Sequence, residues 1–177
     1  MRKIFIGFLL IYLDFSINLG ASKIGLIPDF IGYIVMLNGL QEMAAESPIF
    51  SKVKPFAALM AVYTGIIYLL DLFGISASLG AVSIILGIVS AIISLYISYT
   101  IVMAVKDMEN KYNAPLNGAS LKSTWTILAV FTILNFVLLF LPSLLLVSII
   151  VSIIIAICFL VSFNTSKNMY YNMTSRY

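Results

Sequence analysis

The sequence contains no histidine and only one cysteine among its 177 residues. Without histidine, the protein lacks the commonest general base near neutral pH, the nucleophiles that imidazole activates, and most kinds of zinc site. The single cysteine, Cys158, cannot form an intrachain disulfide, and its apolar surroundings predict a buried small hydrophobic side chain. Motifs of serine hydrolases, metalloproteases and intramembrane aspartyl proteases are also missing from the sequence. These absences predict a protein that is not an enzyme and has no metal site and no cofactor.

Charged residues are scarce as well. They make up 10% of the chain, whereas hydrophobic residues make up 62% and the mean hydropathy is +1.12. A water-soluble domain carries about a quarter charged and roughly half apolar residues, so this chain has too little polar surface to cover itself in water. Composition therefore predicts an integral membrane protein in a lipid bilayer. The net charge of +3 does not indicate a nucleic-acid partner, because the basic residues lie at the ends of apolar segments.

Six apolar segments approach the length of about 20 residues that a helix needs to cross the hydrocarbon core of a bilayer. Prolines at helix starts and glycines in turns mark their boundaries. The segments are 4–20, 28–45, 55–73, 79–105, 123–141 and 143–163. This pattern predicts an all-α bundle of about six transmembrane helices in one domain, residues 1–163, with a polar cytoplasmic tail, residues 164–177. The first two segments are short, so they either tilt little or form a partly re-entrant hairpin.

The distribution of basic residues predicts the orientation of these segments. Six spans with a cytoplasmic N-terminus put nine of the ten lysines and arginines on the cytoplasmic side. Lys23, in the turn after the first segment, is the exception. Because basic residues near segment ends are retained in the cytoplasm, both termini are expected there, in a plasma (inner) membrane.

Polar residues within apolar segments are the first candidates for a functional site. Asp14 lies near the middle of the first segment, where a charge costs about 2.5 to 3.5 kcal/mol, and Asn18 follows one turn later on the same predicted helix face. Asp71 lies near the end of the third segment, where the helix dipole disfavours an anion. It therefore requires a partner, either Lys23 or a bound cation. These residues predict a site for an ion, a proton or a small ligand, or else hydrogen-bonded pairs that join helices.

A faint repeat adds a fifth candidate. Asp14, Asp71 and Asn135 each follow a leucine in segments one, three and five, at spacings of 57 and 64 residues. Such spacings fit three tandem hairpins, a parallel repeat of a kind that some transporters contain, or chance. If the three helices meet, the substrate- or ion-binding candidates are Asp14, Asn18, Lys23, Asp71 and Asn135. Asp29 is expected to have a structural role instead, because a helix N-terminus stabilises a carboxylate there.

Small residues predict which helix faces pack closely. Glycines recur every seven residues along the second segment, at Gly25, Gly32 and Gly39. A stripe of small residues also follows the fourth segment, comprising Ser83, Gly87, Ser90, Ser94 and Ser98. Serines can line a pore, but their hydroxyls can equally bond to carbonyls one turn earlier, which favours packing.

The segment Pro28-Asp29-Phe30-Ile31-Gly32-Tyr33 resembles a Pro-Asp-x-x-Gly-Tyr pattern of small uncharacterised polytopic membrane proteins from bacteria. This resemblance implies a bacterial inner-membrane protein and no particular activity. Two functions remain open. One is a transporter, or a membrane subunit of a transport system, with an acid-containing intramembrane site. The other is a scaffold, assembly, sensing or immunity subunit that packs against a membrane protein partner or a second copy of itself.

Overall fold

The computed structural model describes residues 1–12, 16–19, 22–25, 28–74, 80–138 and 142–175. A short antiparallel hairpin, formed by β1 (Ser16–Leu19) and β2 (Ser22–Gly25), interrupts an otherwise helical chain. The six helices of the described chain are α1 (Arg2–Tyr12), α2 (Asp29–Met43), α3 (Ile49–Leu72), α4 (Ala81–Tyr112), α5 (Gly118–Leu138) and α6 (Pro142–Thr174). The predicted all-α membrane bundle is confirmed.

Four of these helices, α3 to α6, are long and apolar enough to cross a membrane. Helices α1 and α2 have only 11 and 15 residues, which corresponds to lengths of about 16 and 22 Å at 1.5 Å per residue. Neither covers a hydrocarbon core about 30 Å thick. The first two predicted segments are therefore not full transmembrane helices.

The prediction of one helix over residues 4–20 is wrong beyond Tyr12, because Ser16–Leu19 forms β1. In the hairpin register, Ile17 is opposite Ile24 and Asn18 is opposite Lys23. Isoleucine favours strands because its branched Cβ suits a pleated surface, whereas the apolarity of a short run does not distinguish a strand from a helix. Asn18 thus does not follow Asp14 along a helix face. Asp14 itself lies outside the described residues.

Helices α1 and α2 pack against each other through glycines. A Cβ atom added to Gly7 would lie 2.8 Å from the carbonyl oxygen of Gly32, and one added to Gly39 would lie 2.7 Å from the backbone nitrogen of Ile4. Both distances are too short for a real side chain, so the two backbones approach as closely as glycine allows. At the far end of this pair, Phe30 of α2 packs on Tyr68 of α3, with ring centroids 5.8 Å apart.

An aromatic cluster joins α1 to α6. The Phe8 ring makes edge-to-face contacts with Phe159 and Phe163, each at a centroid distance of 5.3 Å. The outer faces of α3 to α6 are apolar and exposed, as expected of helices that contact lipid. Cys158 lies on this exposed surface, so the prediction that it is buried is wrong. The membrane-facing surface and the core are both apolar, and they differ mainly in packing.

Helix ends at the basic side of the bundle are tied by polar contacts. Helix α4 ends at Tyr112, as the sequence predicts, and Asn113 adopts a left-handed conformation (φ 47°) that caps it. The predicted pairing of Asp107 with Lys111 is replaced by bonds to the α2–α3 connection. There Asp107 accepts a hydrogen bond from Ser47 at 2.6 Å, and Lys111 donates to the carbonyl of Glu46 at 2.8 Å. Residues 164–174 continue α6 as helix.

Candidate functional site

Helices α1 to α5 surround a cavity of about 230 Å³. Half of its described lining is apolar or glycine, including Met60 of α3 and Leu128 of α5. The polar lining residues are Tyr12, Asp29, Tyr33, Ser90, Ser94 and Thr132. A mostly apolar cavity with a few converging polar groups has the composition of a small-molecule site.

The cavity lies at mid-depth in the bundle. Met60 is the twelfth of the 24 residues of α3, and Leu128 is the eleventh of the 21 residues of α5. Helix α1 ends at this level with Tyr12, and α2 begins there with Asp29. The interruption of the first two segments therefore coincides with the cavity.

Asp29 contributes the negative charge of the lining. It is the first residue of α2 and follows Pro28, which is extended (φ −66°, ψ 135°). The backbone N–H groups and the positive end of the helix dipole stabilise a carboxylate at this position. Its Oδ1 atom is buried, and the other described lining residues are uncharged. The structural role predicted for Asp29 and its position in the cavity are compatible.

The serine stripe of α4 is hydrogen bonded to three neighbouring helices. Tyr33 of α2 hydrogen bonds to the Ser94 side chain, and Tyr12 of α1 hydrogen bonds to the Ser98 side chain. The indole Nε1 of Trp125 donates to Ser98 Oγ at 2.9 Å, and Ser98 donates to the Ser94 carbonyl at 2.9 Å. These bonds hold the wall of the cavity in one arrangement.

The other predicted packing residues differ from one another. Gly32 and Gly39 lie at the contact of α1 and α2, whereas Gly25 lies in β2 rather than in the second helix. Ser83 is exposed and donates a hydrogen bond to the Gly80 carbonyl at 2.7 Å. A Cβ atom on Gly87 would meet nothing within 4 Å, and Gly87 and Ser90 line the cavity. Close packing at Gly87, which the sequence predicted, is therefore not found within the described chain.

Asn135 joins α5 to α6 and does not line the cavity. Its amide nitrogen donates to Ser152 Oγ at 2.7 Å, and its carbonyl oxygen accepts a bond from Ser148. It borders a separate, more open groove of about 530 Å³ between α1, α5 and α6. Ile11 and Tyr12 line both spaces, so the end of α1 separates the groove from the cavity.

The remaining sequence candidates lie away from the cavity lining or outside the described residues. Asp71 is in the last turn of α3 and does not appear among the described lining residues. Strand β2, which carries Lys23, packs beside α3, and Asn18 is opposite Lys23 in the hairpin. The predicted convergence of Asp71 and Asn135 on one site is not observed. Sequence reasoning did not identify Tyr12, Tyr33 or Thr132, because aromatic and hydroxyl residues in apolar segments give no distinctive signal.

Within the part of the chain that the structure describes, no group of three or more histidine, cysteine or acidic residues could hold a metal ion. The cavity instead combines a carboxylate, hydroxyl groups, two aromatic rings and apolar side chains. No family model, curated protein or solved structure matches this chain.

Proposed function

We propose that this protein is a small membrane transport protein, or the membrane subunit of a transport system, and that the cavity beside Asp29 is its binding site. The observation that carries the proposal is the meeting of two short helices, α1 and α2, at a mid-depth cavity with a carboxylate in its wall. A charge at this depth costs about 2.5 to 3.5 kcal/mol on insertion scales, and such residues commonly belong to substrate or ion pathways.

The interruption of the first two segments supports this proposal. Transporters commonly bind substrates near the middle of the bilayer, where discontinuous helices end and direct their termini at the ligand. Here α1 ends and α2 begins at the cavity, and a β-hairpin connects them. Irregular backbone at membrane depth is tolerated where protein covers it or where it lines a water-filled space. The packing of β2 beside α3 provides part of that cover.

We further propose that the basic end of the bundle faces the cytoplasm of a bacterial cell. Lys3 pairs with Glu42 at this end, and Lys111 pairs with Glu46. The Lys167 ammonium lies 4.5 Å from the centroid of the Phe5 ring. Retention of basic residues on the cytoplasmic side then puts both termini there.

The full-length protein, purified and reconstituted in proteoliposomes, tests the transport proposal. On a solid-supported membrane, wild-type vesicles should give a transient current when a panel of inorganic and organic monovalent cations is applied. Asp29→Asn should abolish this current, because asparagine keeps the size of the side chain but removes its charge. The matched control is Glu42→Gln, which removes an exposed carboxylate whose ion pair is worth at most about 1 kcal/mol.

Two results would contradict a transport function. One is a wild-type current no larger than that of protein-free vesicles, and the other is an unchanged current in Asp29→Asn. Either result, in protein that remains folded by thermal unfolding, would favour the scaffold function. The contacts of α1 with α2 and of α5 with α6 would then be the starting point for seeking a partner surface.

A further inference from the structure

The charge of the cavity indicates the charge of its ligand. Asp29 supplies a carboxylate, and the other described lining residues are neutral. The position of Asp29 at the start of α2 favours the ionised form, since the helix N-terminus stabilises an anion. A negatively charged lining at membrane depth suits a monovalent cation.

The size of the cavity distinguishes between kinds of cation. A volume of about 230 Å³ corresponds to roughly eight water molecules at their liquid density. An alkali metal ion would fill little of this space and would stay largely hydrated. The volume is below the range of about 300 to 1,000 Å³ that is usual for drug-sized ligands. The cavity therefore suits a small organic cation.

The hydroxyl groups of the lining indicate a ligand that donates hydrogen bonds. Thr132 donates its own proton to the Leu128 carbonyl at 2.8 Å, so its oxygen can accept a bond from a ligand. Ser90 Oγ and the Asp29 carboxylate are further acceptors in the same wall. A primary ammonium group has three N–H donors and no acceptor, and it matches such a set of oxygens.

The rest of the lining suits an apolar group attached to this ammonium. Met60 and Leu95 contribute aliphatic surface, and Tyr12 and Tyr33 contribute aromatic rings, which attract cations as well as alkyl groups. A short alkyl chain would occupy the space that a bare ammonium ion leaves to water. Burial of that chain adds affinity in proportion to its area.

We propose that the cavity binds a small primary alkylammonium ion, with the ammonium group at Asp29, Ser90 and Thr132 and the alkyl group against Met60, Leu95 and the tyrosine rings. This proposal rests on the proposed function only in that it assigns the ligand class of the same cavity. The ligand class is tested by binding and the transport function by current, so each can fail without the other.

Binding of n-butylammonium to the purified full-length protein in detergent, measured by calorimetry at constant pH and ionic strength, tests the ligand class. 1-Butanol is the neutral comparison, tetramethylammonium is the cation without N–H donors, and Na⁺ is the inorganic cation. We expect n-butylammonium to bind at least about tenfold more tightly than each of the other three, because a hydrogen bond between charged groups is worth about 1.5 to 3 kcal/mol.

Asp29→Asn should weaken n-butylammonium binding by about tenfold or more. If this variant does not fold, Thr132→Val provides a second test, because valine keeps the shape of threonine but removes its hydroxyl. It should weaken binding severalfold. Thr126→Val is its matched control, because Thr126 is exposed on the same helix and donates to the Lys122 carbonyl at 3.0 Å.

Several outcomes would overturn the ligand class. They are absence of n-butylammonium binding, equal binding of 1-butanol or tetramethylammonium, and binding of Na⁺ in preference to n-butylammonium. If Na⁺ binds and gives an Asp29-dependent current, the transport function stands while the ligand class is wrong. If n-butylammonium binds and depends on Asp29 but no cation gives a current, the ligand class stands while the transport function is wrong.

Discussion

Replacing Gly39 with alanine perturbs a backbone contact between α1 and α2. The new Cβ atom would lie 2.7 Å from the backbone nitrogen of Ile4 and 3.0 Å from Cβ of Lys3. Neither atom can move without displacing α1, so we expect an overpacking cost of about 1 to 3 kcal/mol. The higher helix propensity of alanine offsets about 0.5 to 1 kcal/mol of this cost. The net expectation is a loss of about 1 to 2 kcal/mol, and the sequence alone predicted a mild effect.

Thermal unfolding of the purified protein in detergent measures this loss. At about 2 to 4 °C per kcal/mol for a chain of this size, Gly39→Ala should lower Tm by roughly 2 to 8 °C. Gly87→Ala is the matched control, because its Cβ atom would meet nothing within 4 Å. It should leave Tm unchanged or raise it slightly. Equal Tm values for both variants and the wild type would show that the α1–α2 contact is looser than this geometry requires.

Three further perturbations test other parts of the structure. Asn135→Leu should lower Tm by removing the bonds between α5 and α6, worth about 0.6 to 1.7 kcal/mol in total, and unchanged Tm would contradict that role. Tyr12→Ala should weaken n-butylammonium binding more than Tyr12→Phe in the calorimetric titration, because only alanine opens the wall between cavity and groove; equal effects would contradict this. In a Cys158→Ser background, Asn113→Cys should resist an impermeant thiol reagent in intact cells and Ser22→Cys should react, whereas labelling of Asn113→Cys would contradict the proposed orientation.

The sequence predicts the class of fold because composition and hydropathy act over the whole chain. Scarcity of charge excluded a water-soluble domain, and apolar segments of about 20 residues predicted membrane helices. Local signals were also informative where they were specific. The polar residues after Val105 predicted an extension of α4 to about Tyr112, where the helix ends. Gly32 and Gly39, two turns apart, share a face, and that face contacts α1.

The break in the first segment could not be predicted from hydropathy. A run of apolar residues satisfies both a helix and a strand, and tertiary packing decides between them. Here β2 packs beside α3, and the close contact of Gly7 with Gly32 sets the relative height of α1 and α2. These are contacts between residues far apart in the sequence, so no local pattern records them.

The position of Asp29 shows why the acid in the cavity was not the acid that the sequence favoured. Asp14 was favoured because it lies near the middle of an apolar segment. Asp29 was treated as structural because it begins a helix. Its depth depends on the packing of Phe30 against Tyr68 and near Gly65, which puts the start of α2 well inside the length of α3.

Energetics favour an acid at the start of a short helix over one in the middle of a continuous helix. The terminus contributes about 0.3 to 1 kcal/mol, and up to about 2 kcal/mol when partly buried, against an insertion cost of about 2.5 to 3.5 kcal/mol. Polar groups in the lining or a bound cation must offset the remainder. A carboxylate within a continuous helix lacks the contribution of the terminus and is more easily neutralised by a proton. Ending α1 and starting α2 at mid-depth therefore favours a charged Asp29, which is the state that a cation site requires.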